Sequence, residues 1–184
     1  MPNMLDAVFA LERINDWVVQ NHPDRLPFLR SRAEGETIQR IEAKFGRPLP
    51  YDLRRLYAAH DGQPSGSPAL YLNQRWLPLD LVIIAWEDLC LRDREKGSRY
   101  SGHQFGDKAW SADWLPLFGS PRGDHYCVDC GPNPGQYGRI IWFLYDQAER
   151  PLIAPSIGDL LSRVALGLMQ GDWSLDDGYD GFSD

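Results

Sequence analysis

The sequence predicts an α+β fold, with an antiparallel or mixed sheet flanked by helices in a single domain. Three observations predict it. Apolar residues recur at helical spacing in the first sixty residues, three strand-like runs separated by turns follow between 114 and 145, and one more amphipathic stretch closes the chain. Helices first, then a strand set, then a helix is the order of an α+β domain rather than of alternating βαβ units.

Leu5, Val8, Leu11, Ile14 and Val18 lie three and four apart, which predicts a helix over 4–20, ended by His22-Pro23 and Leu26-Pro27. Ile38, Ile41 and Phe45 predict a second helix over 36–45, closed by Gly46 as the left-handed residue past its end. A third fits 50–61, with Pro50 in its first turn, Leu53, Leu56 and Tyr57 as its stripe, and Gly62 as the stop. Ala69–Leu72 and Arg75–Leu79 read as short strands about an Asn73-Gln74 turn. Residues 80–95 read as a helix with Val82, Ala85, Trp86, Leu89 and Cys90 facing in. Residues 97–112 are polar and read as a surface loop.

The sheet signal is strongest in Trp114–Phe118, Asp124–Cys130 and Tyr137–Tyr145. The intervening stretches, 119–123 and 131–135, are rich in Gly and Pro. Ile140-Ile141-Trp142-Phe143-Leu144 is apolar throughout, so it reads as an interior strand covered on both faces. Ser156 with Asp159 three residues on marks the start of the closing helix, which runs to Gly171. Residues 172–184 read as an acidic tail, and 1–171 as one domain in which 1–34 are an N-terminal helical addition.

The net charge of −7 is unevenly placed. Residues 1–100 balance, with 14 basic and 14 acidic side chains, whereas 151–184 carry one Arg against six Asp. This distribution lacks the basic footprint of a nucleic-acid binder and suits a basic protein partner. No apolar run is long enough to span a membrane, and the first residues lack a basic leader, so the chain reads as cytoplasmic. Three cysteines, Cys90, Cys127 and Cys130, do not suggest a disulfide framework.

Asp124, His125 and Asp129 form the densest group of reactive side chains. On a strand His125 and Asp129 share a face and Asp124 takes the other, two ligands short of a metal site. Capping of turn N–H groups is the simpler role for the two carboxylates. Cys127 and Cys130 point to opposite faces by alternation, which argues for packing rather than zinc or thiol chemistry. No P-loop and no nucleophile elbow is present. The reading is therefore of no catalytic residue, no metal and no cofactor. A small hydrolase built on Asp124, His125 and Asp129 is the enzymatic alternative. Trp76, Trp86, Trp110, Trp114, Trp142 and Trp173 are read mainly as core, with Trp110 and Trp173 placed in polar stretches.

Four strings carry a resemblance. Ile41-Glu42 leads into Phe45-Gly46-Arg47-Pro48-Leu49-Pro50-Tyr51-Asp52-Leu53 and a helix ending at Asp61-Gly62. Trp114-Leu115-Pro116-Leu117 follows. Next come Gly123-Asp124, Val128-Asp129, Gly135 and Gly138 before a hydrophobic strand, and then Ala154-Pro155-Ser156 with Leu160-Leu161. In this order, over roughly residues 35–165, they resemble the SUKH superfamily, the Smi/Knr-like fold. His125, Cys127 and Cys130 depart from its pattern. The resemblance implies a non-enzymatic binding module: a bacterial immunity protein that neutralises a secreted toxin, possibly a nuclease, encoded by a neighbouring gene. The alternative it implies is a regulatory or scaffold protein of the Smi/Knr type. For either, the expected partner-binding residues are Asp61 and Gln63 after the third helix, Trp110 and Asp113 before the first strong strand, and Arg122, Asp124 and His125 on the following turn.

Overall fold

The computed structural model describes residues 6–23, 29–67, 69–70, 74–99, 110–145, 147 and 149–173. Its elements run α1 (Ala7–Asn21), α2 (Gly35–Phe45), α3 (Tyr51–Ala59), β1 (Arg75–Trp76), α4 (Leu79–Arg99), β2 (Trp114–Gly119), β3 (His125–Asp129), β4 (Ile140–Phe143), β5 (Leu152–Ala154) and α5 (Ile157–Gln170). The five strands form one antiparallel sheet in chain order, β1-β2-β3-β4-β5. The α+β expectation is met. The predicted acidic tail from Ser174 onward lies outside the described residues, as do residues 71–73 of the expected first hairpin.

Alternation along the strands sorts the apolar side chains onto two faces. Leu115, Leu117, Tyr126, Val128, Cys130 and Ile140 join the main core with α1, α2, α3 and α5. Trp114, Cys127, Ile141 and Phe143 point the other way, into a smaller cluster that Leu89 of α4 and Trp110 complete. Cys127 and Cys130 therefore do lie on opposite faces, as the period of two requires. Pro116 has no N–H to give a sheet ladder. The β2–β3 register shifts between Pro116 and Phe118, and this bulge lets Leu117 and Phe118 both enter the main core.

Several boundaries differ from the expected ones. The strand expected over 75–79 stops at Trp76, because the Asp61 carboxylate accepts the Leu79 N–H at 2.9 Å and starts α4 there. α4 then runs to Arg99, so the first residues of the expected 97–112 loop are helical. The strand expected over 137–145 is limited to Ile140–Phe143, since Gly138 takes a left-handed φ of 84° inside a turn. β4 is nevertheless interior, paired with β3 and β5. Gly62 does more than stop α3: at its φ of 71° a Cβ would lie 2.6 Å from the Pro78 nitrogen. Only Gly lets the two segments pass so closely.

α1 is an integral wall of the main core. Its face of Ala7, Ala10, Leu11, Ile14 and Val18 is buried, and Asp6 caps it by accepting the Val8 N–H at 3.0 Å. α5 begins as expected, with Ser156 accepting the Asp159 N–H, and ends at left-handed Gly171. Beyond it the chain folds back. The N–H groups of Asp172 and Trp173 donate to the Gly167 carbonyl, and the Trp173 indole lies on Gly167.

Candidate functional site

The polar residues of the recurring strings are occupied in holding the backbone. Glu42 accepts the Leu49 N–H at 2.9 Å and pairs with Arg54, fixing the entry to α3. Asp61 joins the start of α4 to Arg30, which lies 3.3 Å away. Its pKa is raised by burial, against the lowering pull of the Leu79 N–H and of Arg30. Asp129, 4% exposed, accepts the Gly131 N–H at 2.9 Å and the Arg139 Nε–H at 3.3 Å, closing the long β3–β4 turn. Asp124 ties the start of β3 to the end of β4 by accepting the Tyr145 N–H at 3.0 Å. The role in turns expected of Asp124 and Asp129 is what the geometry shows.

The seven residues expected at an interface fall into three situations. Asp61 and Gln63 are buried, at 9% and 2% exposure. Gln63 is engaged in both directions with Trp76, its Oε1 accepting the Trp76 N–H and its own N–H donating to the Trp76 carbonyl. Trp110 is also buried. Its Nε1–H donates to Cys90 Sγ at 3.3 Å, and its ring meets Trp114 and Phe143 edge-on at 5.8 and 5.1 Å. Asp113 is half-buried and paired with Arg47 at 2.7 Å. Arg122, Asp124 and His125 do come together, at the β2–β3 turn, and Arg122 is exposed there. Trp173, in the other polar stretch, is half-buried against the main core.

His125 lies directly across from Gly119 in the ladder, where a Cβ would be 3.2 Å from its ring. Its Nδ1–H donates to the Phe118 carbonyl at 3.1 Å, because a carbonyl only accepts. Burial lowers its pKa, and the Phe118 carbonyl and Asp124 oppose that shift. The neighbourhood contains two groups that sequence spacing did not bring forward. Tyr145 is exposed beside this turn, and Arg92 of α4 lies 5.9 Å above its ring while pairing with Asp88 at 2.6 Å.

Chemistry of the enzymatic kind finds little footing among the described residues. No three His, Cys, Asp or Glu side chains converge as a metal site requires. His125 and Asp129 share a strand, but Asp129 is committed to Gly131 and Arg139. All three thiols are free, and burial raises the pKa of each: Cys90, Cys127 strongly, and Cys130 to about 12. None is poised as a thiolate. The void between α1, α3, α5 and the sheet, lined by Leu11, Leu56, Trp76, Phe118, Ile157 and Leu161, is apolar and too tight for water. No described helix is long and apolar enough to cross a membrane.

What the surface does offer is an apolar outer face on α4. Leu81, Ile84 and Leu91 are 43%, 57% and 53% exposed, while Leu79, Val82, Ile83 and Leu89 of the same helix are buried. Asp80 and Glu87 flank that face and pair with Arg40 and Lys44 of α2 at 2.8 and 2.9 Å.

Over nearly all of its length the chain is similar to fungal proteins. It is 22% identical to the glucan synthesis regulatory protein of Neurospora crassa, with 96% of this chain and 41% of that protein aligned. It is 26% identical to the cell wall biosynthesis/cell cycle regulator smi1 of Schizosaccharomyces pombe, covering 90% of this chain and 36% of the relative. It is also 26% identical to the cell wall assembly regulator SMI1 of Saccharomyces cerevisiae, covering 97% and 44%. The chain thus spans less than half the length of these relatives. These relatives carry the names of cell-wall regulators, and the expected role as a bacterial toxin-neutralising protein gains no support from them. The model of the SMI1 / KNR4 family (SUKH-1) matches residues 32–163, from the approach to α2 into α5, and the chain belongs to that family.

Proposed function

We propose that this chain is a non-enzymatic protein-binding domain acting in the regulation of cell-wall synthesis. The observation that carries the reading is the near-complete alignment of the chain with fungal proteins named as cell-wall regulators. The structure supports the binding role. Polar residues in the family's strings hold turns and helix starts, so they are not spare for catalysis, while large apolar side chains stay exposed on α4. An exposed apolar face on a rigid scaffold is what a partner-binding domain presents. The partner is another protein, in keeping with an acidic chain that has no basic footprint for nucleic acid.

The test is a segment exchange. This chain replaces the aligned segment of the Neurospora crassa glucan synthesis regulatory protein in a strain lacking the native gene, and cell-wall glucan content is measured. Restoration toward the wild-type content is expected. A chimera that accumulates to normal levels yet leaves glucan at the level of the deletion strain contradicts the proposal.

A further inference from the structure

We infer that Met169 is a site of methionine oxidation by peroxide, and that Arg13 holds the sulfoxide so that oxidation fastens α1 to α5. Met169 is the penultimate residue of α5. It is 42% exposed, whereas its neighbour Leu168 is buried in the main core. Peroxide in solution therefore reaches the sulfur, and a polar group added there enters no core. The side chain that meets the sulfur comes from the other end of the chain. Arg13 of α1 donates from Nη2 to Met169 Sδ at 2.7 Å, and its guanidinium lies 6.0 Å from the centroid of the exposed Phe9 ring. Among the described residues no carboxylate pairs with Arg13, so its charge is not committed to an anion.

The chemistry is a transfer of one oxygen atom. The sulfur gives an electron pair to one oxygen of hydrogen peroxide and the O–O bond breaks. The other oxygen leaves as hydroxide and takes the proton of the new S–OH group, so thioether and peroxide become sulfoxide and water. Sulfur is oxidised by two electrons and peroxide is reduced by two, and methionine sulfoxide reductases reverse the change. Sulfoxidation usually loosens a protein, because it puts a polar group where an apolar one packed. Here the sign is the opposite. A thioether sulfur is a weak acceptor, whereas a sulfoxide oxygen carries real negative charge. A hydrogen bond from a guanidinium to such an oxygen is charge-assisted, roughly twice as strong as a neutral one. Arg13 has only to shift from the sulfur to the oxygen bonded to it. The strengthened contact joins residues 156 positions apart, on the two helices that close the main core from opposite ends of the chain.

The experiment treats the full, folded chain with limiting hydrogen peroxide, follows the gain of one oxygen at Met169 by peptide mass spectrometry, and measures the melting temperature before and after. The oxidised chain should melt about 2 °C higher than the untreated one. Incubation with methionine sulfoxide reductases should return it to the starting value. Arg13→Leu should lose the rise and show no change or a fall on oxidation, and Arg13→Lys, which keeps a charged donor, should recover part of it. The other two methionines, Met1 and Met4, lie outside the described residues, and Met169→Leu removes their contribution: this variant should show no rise. An oxidised wild-type chain that melts no higher than the untreated one overturns the inference. So does a rise of equal size in Arg13→Leu or Met169→Leu, and so does a Met169 that stays unmodified in the folded chain at peroxide levels that oxidise it in the urea-unfolded chain. The readout is folding alone, so the result is independent of the regulatory role proposed above.

Discussion

Gly167, in the last turn of α5, allows a sign-reversing test of how the chain is closed after that helix. A methyl group added there would lie 2.5 Å from Cε3 and 2.6 Å from Cδ2 of Trp173. Carbon atoms pack at about 3.5 Å or more, so the indole would have to retreat by about 1 Å. Replacing Gly by Ala inside a helix is worth about 1 kcal/mol in stability. Against that stands the packing of a half-buried Trp on the main core, worth about 2 kcal/mol. Gly167→Ala should therefore destabilise the protein by about 1 kcal/mol. A Trp173→Ala background removes the three atoms nearest the methyl group, and there the same substitution should stabilise by about 1 kcal/mol. Urea unfolding of the wild type, both single variants and the double variant gives the coupling directly, expected near 2 kcal/mol. If Gly167→Ala stabilises the otherwise unaltered chain, or if the coupling is under about 0.5 kcal/mol, the indole is not seated on Gly167 as described.

Three further outcomes are expected. Gly62→Ala combines a positive φ with a Cβ 2.6 Å from backbone and should cost several kcal/mol, on the order of 3 or more, in urea unfolding; a loss under about 1 kcal/mol would show that the Gly62–Pro78 approach relaxes freely. Asp129→Ala leaves the buried Gly131 N–H without its acceptor and should cost about 2 kcal/mol, whereas Asp129→Asn keeps an acceptor and should cost less. Equal losses in chemical denaturation would mean that the charge, through Arg139, matters more than the turn. For His125, burial sets the folded pKa below the ordinary 6.5, so the unfolded chain takes up its proton first as pH falls through that value. Stability is then lost on going down through 6.5 and stops being lost below the depressed folded pKa. His125→Gln, which can still donate to the Phe118 carbonyl, should show a smaller drop in melting temperature between about pH 7.5 and 5.5. A drop as large as in the wild type refutes this.

Much of the fold was legible because it rests on local periodicity. The buried stripes of α1, α2, α3 and α5, the left-handed Gly46 and Gly171, and the Ser156 cap all follow from spacing of a few residues. The opposite orientations of Cys127 and Cys130 follow from alternation alone. The site was less legible because it depends on long-range meetings. Asp61 and Gln63 follow a helix in a polar stretch and read as surface, but Trp76 and Leu79 cover them from later in the chain. Trp110 sits among Ser, Asp and Lys and reads as loop, whereas Cys90, Trp114 and Phe143 converge on it from three elements. The outer row of α4 was present in the sequence as Leu81, Ile84 and Leu91. The inward side was legible from the same spacing, and Val82 and Leu89 are buried as expected.

The pairing of α1 with α5 has a consequence for how the chain comes to be folded. The two helices bury their faces in one core but are separated by about 140 residues, and synthesis at roughly 5–20 residues per second puts about 7–30 s between them. The meander β2-β3-β4-β5 closes through neighbours in sequence and assembles as it emerges. Through that interval Leu11, Ile14 and Val18 have α3 beside them but lack α5. The nascent chain thus carries an incompletely covered amphipathic helix ahead of its sheet for many seconds, a natural station for a chaperone. A stalled or truncated product lacking α5 would keep that face open and should be the species that aggregates or is degraded first.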